Sequence, residues 1–574
     1  MLWAFALALC VSAAAADVRL YPVDPIAEYP DAAAPEALQF ACAEDRETLS
    51  EWFQSRDKPY RPELVRSARG RGVCHIDYEP SLPGFRADPE TFPVRRLIAS
   101  VDPLPFVIGR NPVGASFDVL RDVAPSIPTS VPIDLLLVRE FDERLWPHAL
   151  SRAFADSDRR RYRLLGLEAA HTFAWAQDLI KSGRVGPETG GQPRVLVPRR
   201  VFEGRGSDGP LSLPVLDALQ GDEYVRSKLS WEGGDLLIAV SPLDRNRRIL
   251  IYGGSAAQYW AVESLQPKDY GYVLSREFGA DTVVDLSAVG PHADYLVALM
   301  PDGKTALVAE PVREDLLLAR SAAAELEAFY GAQAPAELRA LTRLIRSGAD
   351  PFQEKALEVR AAIDRLRPIV EAWEPELGAD FVRRVAAYVR ANCPQQPGAC
   401  FLGAGKQAMF EADPALARAV ADAATYGDLA RAAPLRLLDL IEAQAPDAPE
   451  WNRKFLDDVA TALRGLGFRV VRVPFLVAPE RVDEWVGVSY ANSAAIDGQL
   501  FVPALGLGQA EEKIFAEMAR KLPDLQVVPV AARSSLLDNG GVHCILGPVR
   551  GVPSAVSRLR TSGPTAVAAA AAPE

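Results

Sequence analysis

Residues 499–530 read QLFVPALGLGQAEEKIFAEMARKLPDLQVVPV. The stretch opens with an apolar run at 499–505, passes two glycines, and continues as a helical segment over 508–523. It closes in a second short apolar run at 525–530. A strand, a helix and a second strand in that order form the unit from which an α/β fold is built.

The same texture extends in both directions. Upstream, WNRKFLDDVATALRGLGFRVVRVPFL (451–476) reads as a helix, a Gly-Leu-Gly turn and a strand. Short apolar runs recur at IDLLLV (133–138), RVLVP (194–198), DLLIAV (235–240), RILIYG (248–253) and TALVAEP (305–311). Between 312 and about 445 the pattern changes to Ala, Leu and Arg at helical spacing with no strand run, as in PAELRALTRLIRSG. The chain therefore divides into an N-terminal subdomain (17–125), an α/β domain in two parts (126–311 and 446–555), a helical insertion (312–445) and a low-complexity tail (556–574).

Composition narrows the function. A formal net charge of −13 disfavours nucleic acid and a polybasic membrane contact, and is compatible with cationic substrates. The N-terminal sixteen residues are too short a run to span a bilayer comfortably, and no other stretch reaches about 18 apolar residues. The first sixteen residues, MLWAFALALCVSAAAA, read as a secretory signal cleaved near Ala16, which places the mature chain outside the cytoplasm, secreted or periplasmic. In that compartment Cys42–Cys74 and Cys393–Cys400 are candidate disulfides, the alternative being ordinary buried thiols. Neither pair has zinc-site spacing, and GAGKQAM (403–409) lacks the spacing of a phosphate loop.

Cys544 stands in NGGVHCILGP (539–548), behind Gly540 and Gly541, which permit unusual dihedrals or a close backbone approach. A cysteine nucleophile acts as its thiolate and needs a base or a nearby positive charge. If 542–544 is extended, His543 points to the opposite face and the working base comes from elsewhere. His292 and Asp294 share a face if HADYLVALM is a strand. Asp178 lies in the apolar FAWAQDLI, and Glu232 precedes two glycines in SWEGGDLLIAV. Each has a plainer reading: a small buried thiol, a satisfied core histidine, a turn-capping aspartate, a loop glutamate. As a set they suit a planar cation, because fixed carboxylates accept the N–H donors around a guanidinium plane.

The blocks WAQD (175–178), WEGGDLLI (231–238), GPHADYLVAL (290–299) and GGVHCILGPVR (540–550) stand in one order, with SYANSAAIDGQLFVPAL before the last. In that order the chain resembles the guanidine-modifying enzymes of the pentein fold, among them protein-arginine, arginine and agmatine deiminases. The resemblance spans roughly 130–311 and 450–555. It implies an α/β propeller of five modules with a central site. It also implies Cys544 as nucleophile, His292 as general acid and base, Asp178 and Asp294 as guanidinium-binding carboxylates, and Glu232 as a supporting carboxylate. Tyr295 follows the His-x-Asp motif where many members carry another acid or an aromatic.

The activity so implied is hydrolysis of a guanidinium to a ureido group and ammonia through a covalent cysteine intermediate. The first substrate reading is an arginine-containing protein or peptide. The second is free arginine or agmatine, towards which EGGD leans, with amidinotransfer as a distant variant. A guanidinium-binding module without turnover is a third. No cofactor is required by this chemistry. Calcium, used by the eukaryotic-type protein-arginine deiminases, stays open, since no EF-hand loop is present. Oligomeric state is not encoded in any motif.

Overall fold

The structure is a computed structural model. It describes residues 19–22, 63–66, 74–100, 119–120, 122–138, 161–167, 175–187, 191–199, 212–219, 221–255, 267–287, 292–311, 317–346, 355–377, 450–477, 487–532, 535–536 and 540–551, with isolated positions between 388 and 441. The signal segment, Cys42, Cys393, Cys400, His148, His171 and the tail lie outside these residues, and only the backbone of Cys74 lies within them.

The unit at 499–530 forms as its pattern predicts. Strand Gln499–Ala504 is followed by helix Gln509–Lys521 and strand Gln526–Ala531, and the two strands run parallel. Ahead of it, Ala494–Ile496 pairs antiparallel through a two-residue turn. That turn is Asp497-Gly498, with φ of 47° and 78°. Left-handed backbone at both positions is what a tight hairpin needs, and Asp-Gly supplies it at low steric cost.

Four larger sheets contain the same triplet, one antiparallel and one parallel pairing, with a fourth strand added at an edge. Lys181–Val185, Gln192–Val197 and Tyr224–Arg226 form one, and Leu236–Val240, Arg248–Tyr252 and Thr282–Asp285 the next. Val297–Leu299, Thr305–Pro311 and Arg469–Val477 form another. In the last, Leu546–Arg550 pairs with Val94–Ser100, which runs parallel to Ile133–Val138, so late and early segments of the chain close one sheet together. The architecture is mixed α/β.

The helical block lies in the crossover between Thr305–Pro311 and Arg469–Val477. Its helices Leu317–Tyr330, Ala336–Arg346 and Ala356–Leu377 form where the Ala/Leu/Arg periodicity predicts them. Leu326, Leu338, Leu341 and Ile363 are buried in the same apolar cluster as Val308, Ile496 and Ile545. The insertion and the sheets therefore bury one continuous core. Among the described residues, no helix is long and apolar enough to cross a membrane.

Candidate active site

In four of these five sheets one strand follows directly on a single helical turn: Ala176–Leu179, Gly233–Asp235, Ala293–Leu296 and Val542–Ile545. In the remaining sheet, residues 489–493 make the corresponding turn before Ala494–Ile496. The predicted site residues are carried on or beside these turns. In a helical turn successive side chains project about 100° apart rather than 180°. Neighbouring residues can then both reach one focus.

Two local expectations are corrected on this ground. HADYLVALM is not one strand, since its first residues form the turn and only Val297–Leu299 is extended. Likewise 542–544 is helical, so His543 does not point away from Cys544's surroundings. Its Nδ1 lies 2.9 Å from Asp294 Oδ2. That same oxygen accepts from Cys544 Sγ at 3.2 Å.

The turns are stitched to one another by side chains that bond backbone groups. Asp178 Oδ1 accepts from Gly234 N at 2.7 Å. Asp235 Oδ1 accepts from Ala293 N at 3.1 Å. Ser489 Oγ donates to the Tyr295 carbonyl. Asn492 Oδ1 accepts from His543 N at 3.1 Å and Cys544 N at 3.3 Å, while its Nδ2 lies 3.1 Å from Cys544 Sγ. With its amide set to satisfy both ends, Gln177 donates to the Leu546 carbonyl at 3.0 Å.

These bonds bring all five predicted residues together. His292 Nε2 pairs with Glu232 Oε2 at 2.6 Å, and its Nδ1 lies 3.9 Å from Asp178 Oδ1. His292 lies close enough to the Cys544 thiol to favour its ionised form. A Cβ on Gly234 would stand 2.7 Å from Asp178 Oδ1, 3.0 Å from Asp294 Oδ2 and 3.2 Å from His292 Nδ1. Gly234 is therefore the floor on which the three groups converge. Gly540 and Gly541 serve a related need: a Cβ there would collide with the Trp175 ring and with Asn492. The glycine pair admits neighbouring side chains and backbone of the protein itself.

The electrostatics follow from burial. Cys544 is 3% exposed, Asp178 and Asp294 1% each. Burial, reinforced by the Asp294 charge, pushes the Cys544 thiol up to about 12, against the opposing influence of His292. Burial and the charges of Glu232 and Asp294 raise the Asp178 carboxyl well above its usual range, although His292 and the Gly234 N–H pull it down. For His292, burial favours the neutral ring, but Glu232 and Asp178 outweigh it and hold the imidazolium to a pH well above the ordinary range. Asp178 Oδ2 and Asp294 Oδ1 are buried with no hydrogen-bond partner among the described residues. A buried acceptor without a donor is costly. These two oxygens are what a ligand rich in N–H donors would satisfy.

Asp178, Glu232 and His292 each offer a ligand atom within 4.8 Å of the others. Two carboxylates and an imidazole suit a borderline transition ion better than calcium, which prefers six to eight oxygens. The grouping arises only in space, and no sequence spacing announces it.

Three residues of this neighbourhood escaped the sequence reading. Asn492 lies in the block quoted for its resemblance, but its capping role depends on a turn that no periodicity signals. His543 is hidden because its segment resembles an extended run and is instead a helical turn. Glu90 precedes strand Val94–Ser100 in a region assigned to an N-terminal subdomain, and reaches the site only because that strand pairs with Leu546–Arg550.

Residues 443–547 match the family model of the Porphyromonas-type peptidyl-arginine deiminases. The match covers most of the second of the two stretches to which the motifs point, including Asn492 and Cys544. The expected resemblance to guanidine-modifying penteins is met there. None of the curated proteins matches the chain. Among solved structures it is similar to an agmatine deiminase of C. jejuni, at 13% identity and a TM-score of 0.43 over 82% of this chain and 97% of that one. It is also similar to an agmatine deiminase of Enterococcus faecalis, at 10% identity and a TM-score of 0.43 over 82% of this chain and 97% of that one. Similarity at this level assigns neither substrate nor mechanism.

Proposed function

We propose that the protein is a hydrolase of amidine C–N bonds, a deiminase that converts a guanidinium to a ureido group and ammonia. One observation carries this reading: a buried thiol, an imidazole paired to a carboxylate, and two buried carboxylates with unsatisfied oxygens converge from separated segments. A guanidinium matches them in charge and in planar N–H donors. The five sheets, with their repeated strand plan and turn-to-turn bonds, support an arrangement as five modules around this focus.

In the proposed reaction Asp178 and Asp294 hold the cation with its carbon against Cys544 Sγ. The free enzyme keeps the thiol neutral. An incoming cation beside it offsets the carboxylate charges and favours the thiolate, the displaced thiol proton passing to solvent. Sulfur attacks the guanidinium carbon, and His292, held as imidazolium, gives its proton to the departing ammonia. An amidino-thioether remains. Neutral His292 then takes a proton from water as the oxygen attacks this carbon. Cleavage of the C–S bond returns the thiol and leaves the ureido product.

The preferred substrate is peptidyl arginine, supported by the family match and by the predicted export signal. The EGGD block, whose Glu232 grips His292, favours free arginine or agmatine as the second reading. The deciding experiment compares ureido formation on a blocked peptidyl arginine, free arginine and agmatine. Turnover of the blocked peptide is expected. Product from the free small molecules alone moves the assignment to the second reading, and binding without product moves it to a non-catalytic module. A parallel assay with chelator decides whether any metal takes part.

A further inference from the structure

We propose that His543 is a positioning residue for Asp294, clamping that carboxylate through a buried chain of alternating charge; the inference rests on the deiminase reading above. The chain begins at Lys181 and Arg550. Lys181 Nζ lies 3.1 Å from Glu90 Oε1, and Arg550 Nε lies 3.1 Å from Glu90 Oε2. Glu90 Oε2 is in turn 3.9 Å from His543 Nε2. His543 Nδ1 reaches Asp294 Oδ2 at 2.9 Å. Lys181, Glu90, His543, Asp294 and Arg550 are all at most 6% exposed.

The arrangement fixes which oxygen of Asp294 does what. Oδ2 is occupied by His543 and the Cys544 thiol. Oδ1 is buried and has no partner among the described residues. A carboxylate held only by a weak thiol donor could rotate. An imidazolium bonded to the same oxygen locks the rotation and commits Oδ1 to the ligand. The signs alternate from Lys181 and Arg550 through Glu90, His543 and Asp294, and a bound guanidinium adds the next positive charge. Asp294 and Glu90 are the charged groups found against His543, and both favour its protonated form over the neutral form that burial alone would favour. Asp294 belongs to a different sheet from His543, so the clamp also ties strand Leu546–Arg550 and its turn to a neighbouring sheet.

The experiment has two arms. In the first, kcat and KM are measured for His543→Ala, His543→Asn and Glu90→Gln on blocked peptidyl arginine and agmatine. His543→Ala is expected to lose roughly 10–100-fold in kcat/KM, as when an orienting partner is removed, with most of the loss in KM. Asn keeps a donor near the Nδ1 position and should recover part of it. Unchanged kcat/KM in a folded His543→Ala protein overturns the proposal. In the second arm, histidine-selective 15N NMR reads the ring state, with His543 assigned by its absence from His543→Asn. Wild type should show both nitrogens protonated at neutral pH, and Glu90→Gln should lower the pH at which the second proton leaves. A neutral single tautomer in wild type overturns the clamp. If His543→Ala does not fold, His543→Asn and Glu90→Gln carry the kinetic arm. Should wild type turn over neither substrate, the deiminase reading fails, while NMR still decides the ion pair.

Discussion

His292 and His543 are placed alike and exposed differently. Each sits at or beside the start of a short helical turn, and each lies between two carboxylates. For His292 these are Glu232 at 2.6 Å and Asp178 at 3.9 Å. For His543 they are Asp294 at 2.9 Å and Glu90 at 3.9 Å. Both rings are held towards the imidazolium by those charges. The His292 side chain is 26% exposed, whereas that of His543 is 7% exposed. A general acid and base must exchange its proton with water once per turnover, and the open ring can do so. The closed ring serves best as a fixed charge. The same residue type, given the same partners, acquires a different capability from access alone.

The largest expected effect breaks this comparison at the chemical step. Cys544→Ser, which replaces the proposed nucleophile, should reduce ureido formation to background. His292→Ala should lower kcat by about 10²–10⁴-fold, the usual contribution of a positioned acid and base. Because the vacated position opens to solvent, added imidazole should restore part of the lost rate in His292→Ala. It should not do so in His543→Ala, whose side chain is enclosed. Equal rescue of both variants would remove the distinction between the rings.

A smaller effect should come from Gly234, against which Asp178, Asp294 and His292 converge. In Gly234→Ala the new methyl would press on Asp178 Oδ1 at 2.7 Å and on Asp294 Oδ2 at 3.0 Å. Displacement on the order of 1 Å in such a site costs about 100-fold, here expected mainly in kcat/KM. The helical turn around Gly234 should survive, so unchanged far-UV circular dichroism beside lost activity would support a local cause. Wild-type kinetics in this variant would show that the three groups do not need the space.

The comparison also explains what the sequence could disclose. The strands TALVAEP and QLFVPAL and the helices of the insertion are legible because burial imposes a period on their residues. Cys544, His292, Asp178, Asp294 and Glu232 are legible because reactive or charged side chains are conspicuous in apolar surroundings. The short turns at the strand starts have no period long enough to read. His543 was misplaced by that gap, since an extended segment would turn it away and a helical one does not. Asn492 and Glu90 are hidden for another reason: they act through contacts across sheets, and nothing local in YANSA or DPETF marks a residue that bonds a backbone some 50 positions away or an ion partner 91 positions away.

The smallest expected effect is on stability, and it sharpens the contrast between a balanced and an unbalanced buried charge. Each carboxylate keeps one buried oxygen unpartnered among the described residues, but the other oxygen of Asp294 bonds His543 at 2.9 Å, whereas that of Asp178 stands 3.9 Å from His292 Nδ1 and the Asp178 carboxyl is raised. A carboxyl that binds its proton more tightly when folded makes the native state lose stability as pH rises from the unfolded value towards the folded one. Asp178→Asn removes that ionisation while its amide oxygen can still accept from Gly234 N. The variant should therefore bind guanidinium poorly yet gain about 0.5–2 kcal/mol at neutral and alkaline pH, the range typical of relieving a functional site. The gain should shrink towards acid pH, where wild-type Asp178 is already protonated. Denaturant midpoints for both proteins across pH 4–9 would test this. A gain independent of pH would mean that the carboxylate charge is not its source, and a loss at alkaline pH would mean that Asp178 is as well compensated in the free protein as Asp294.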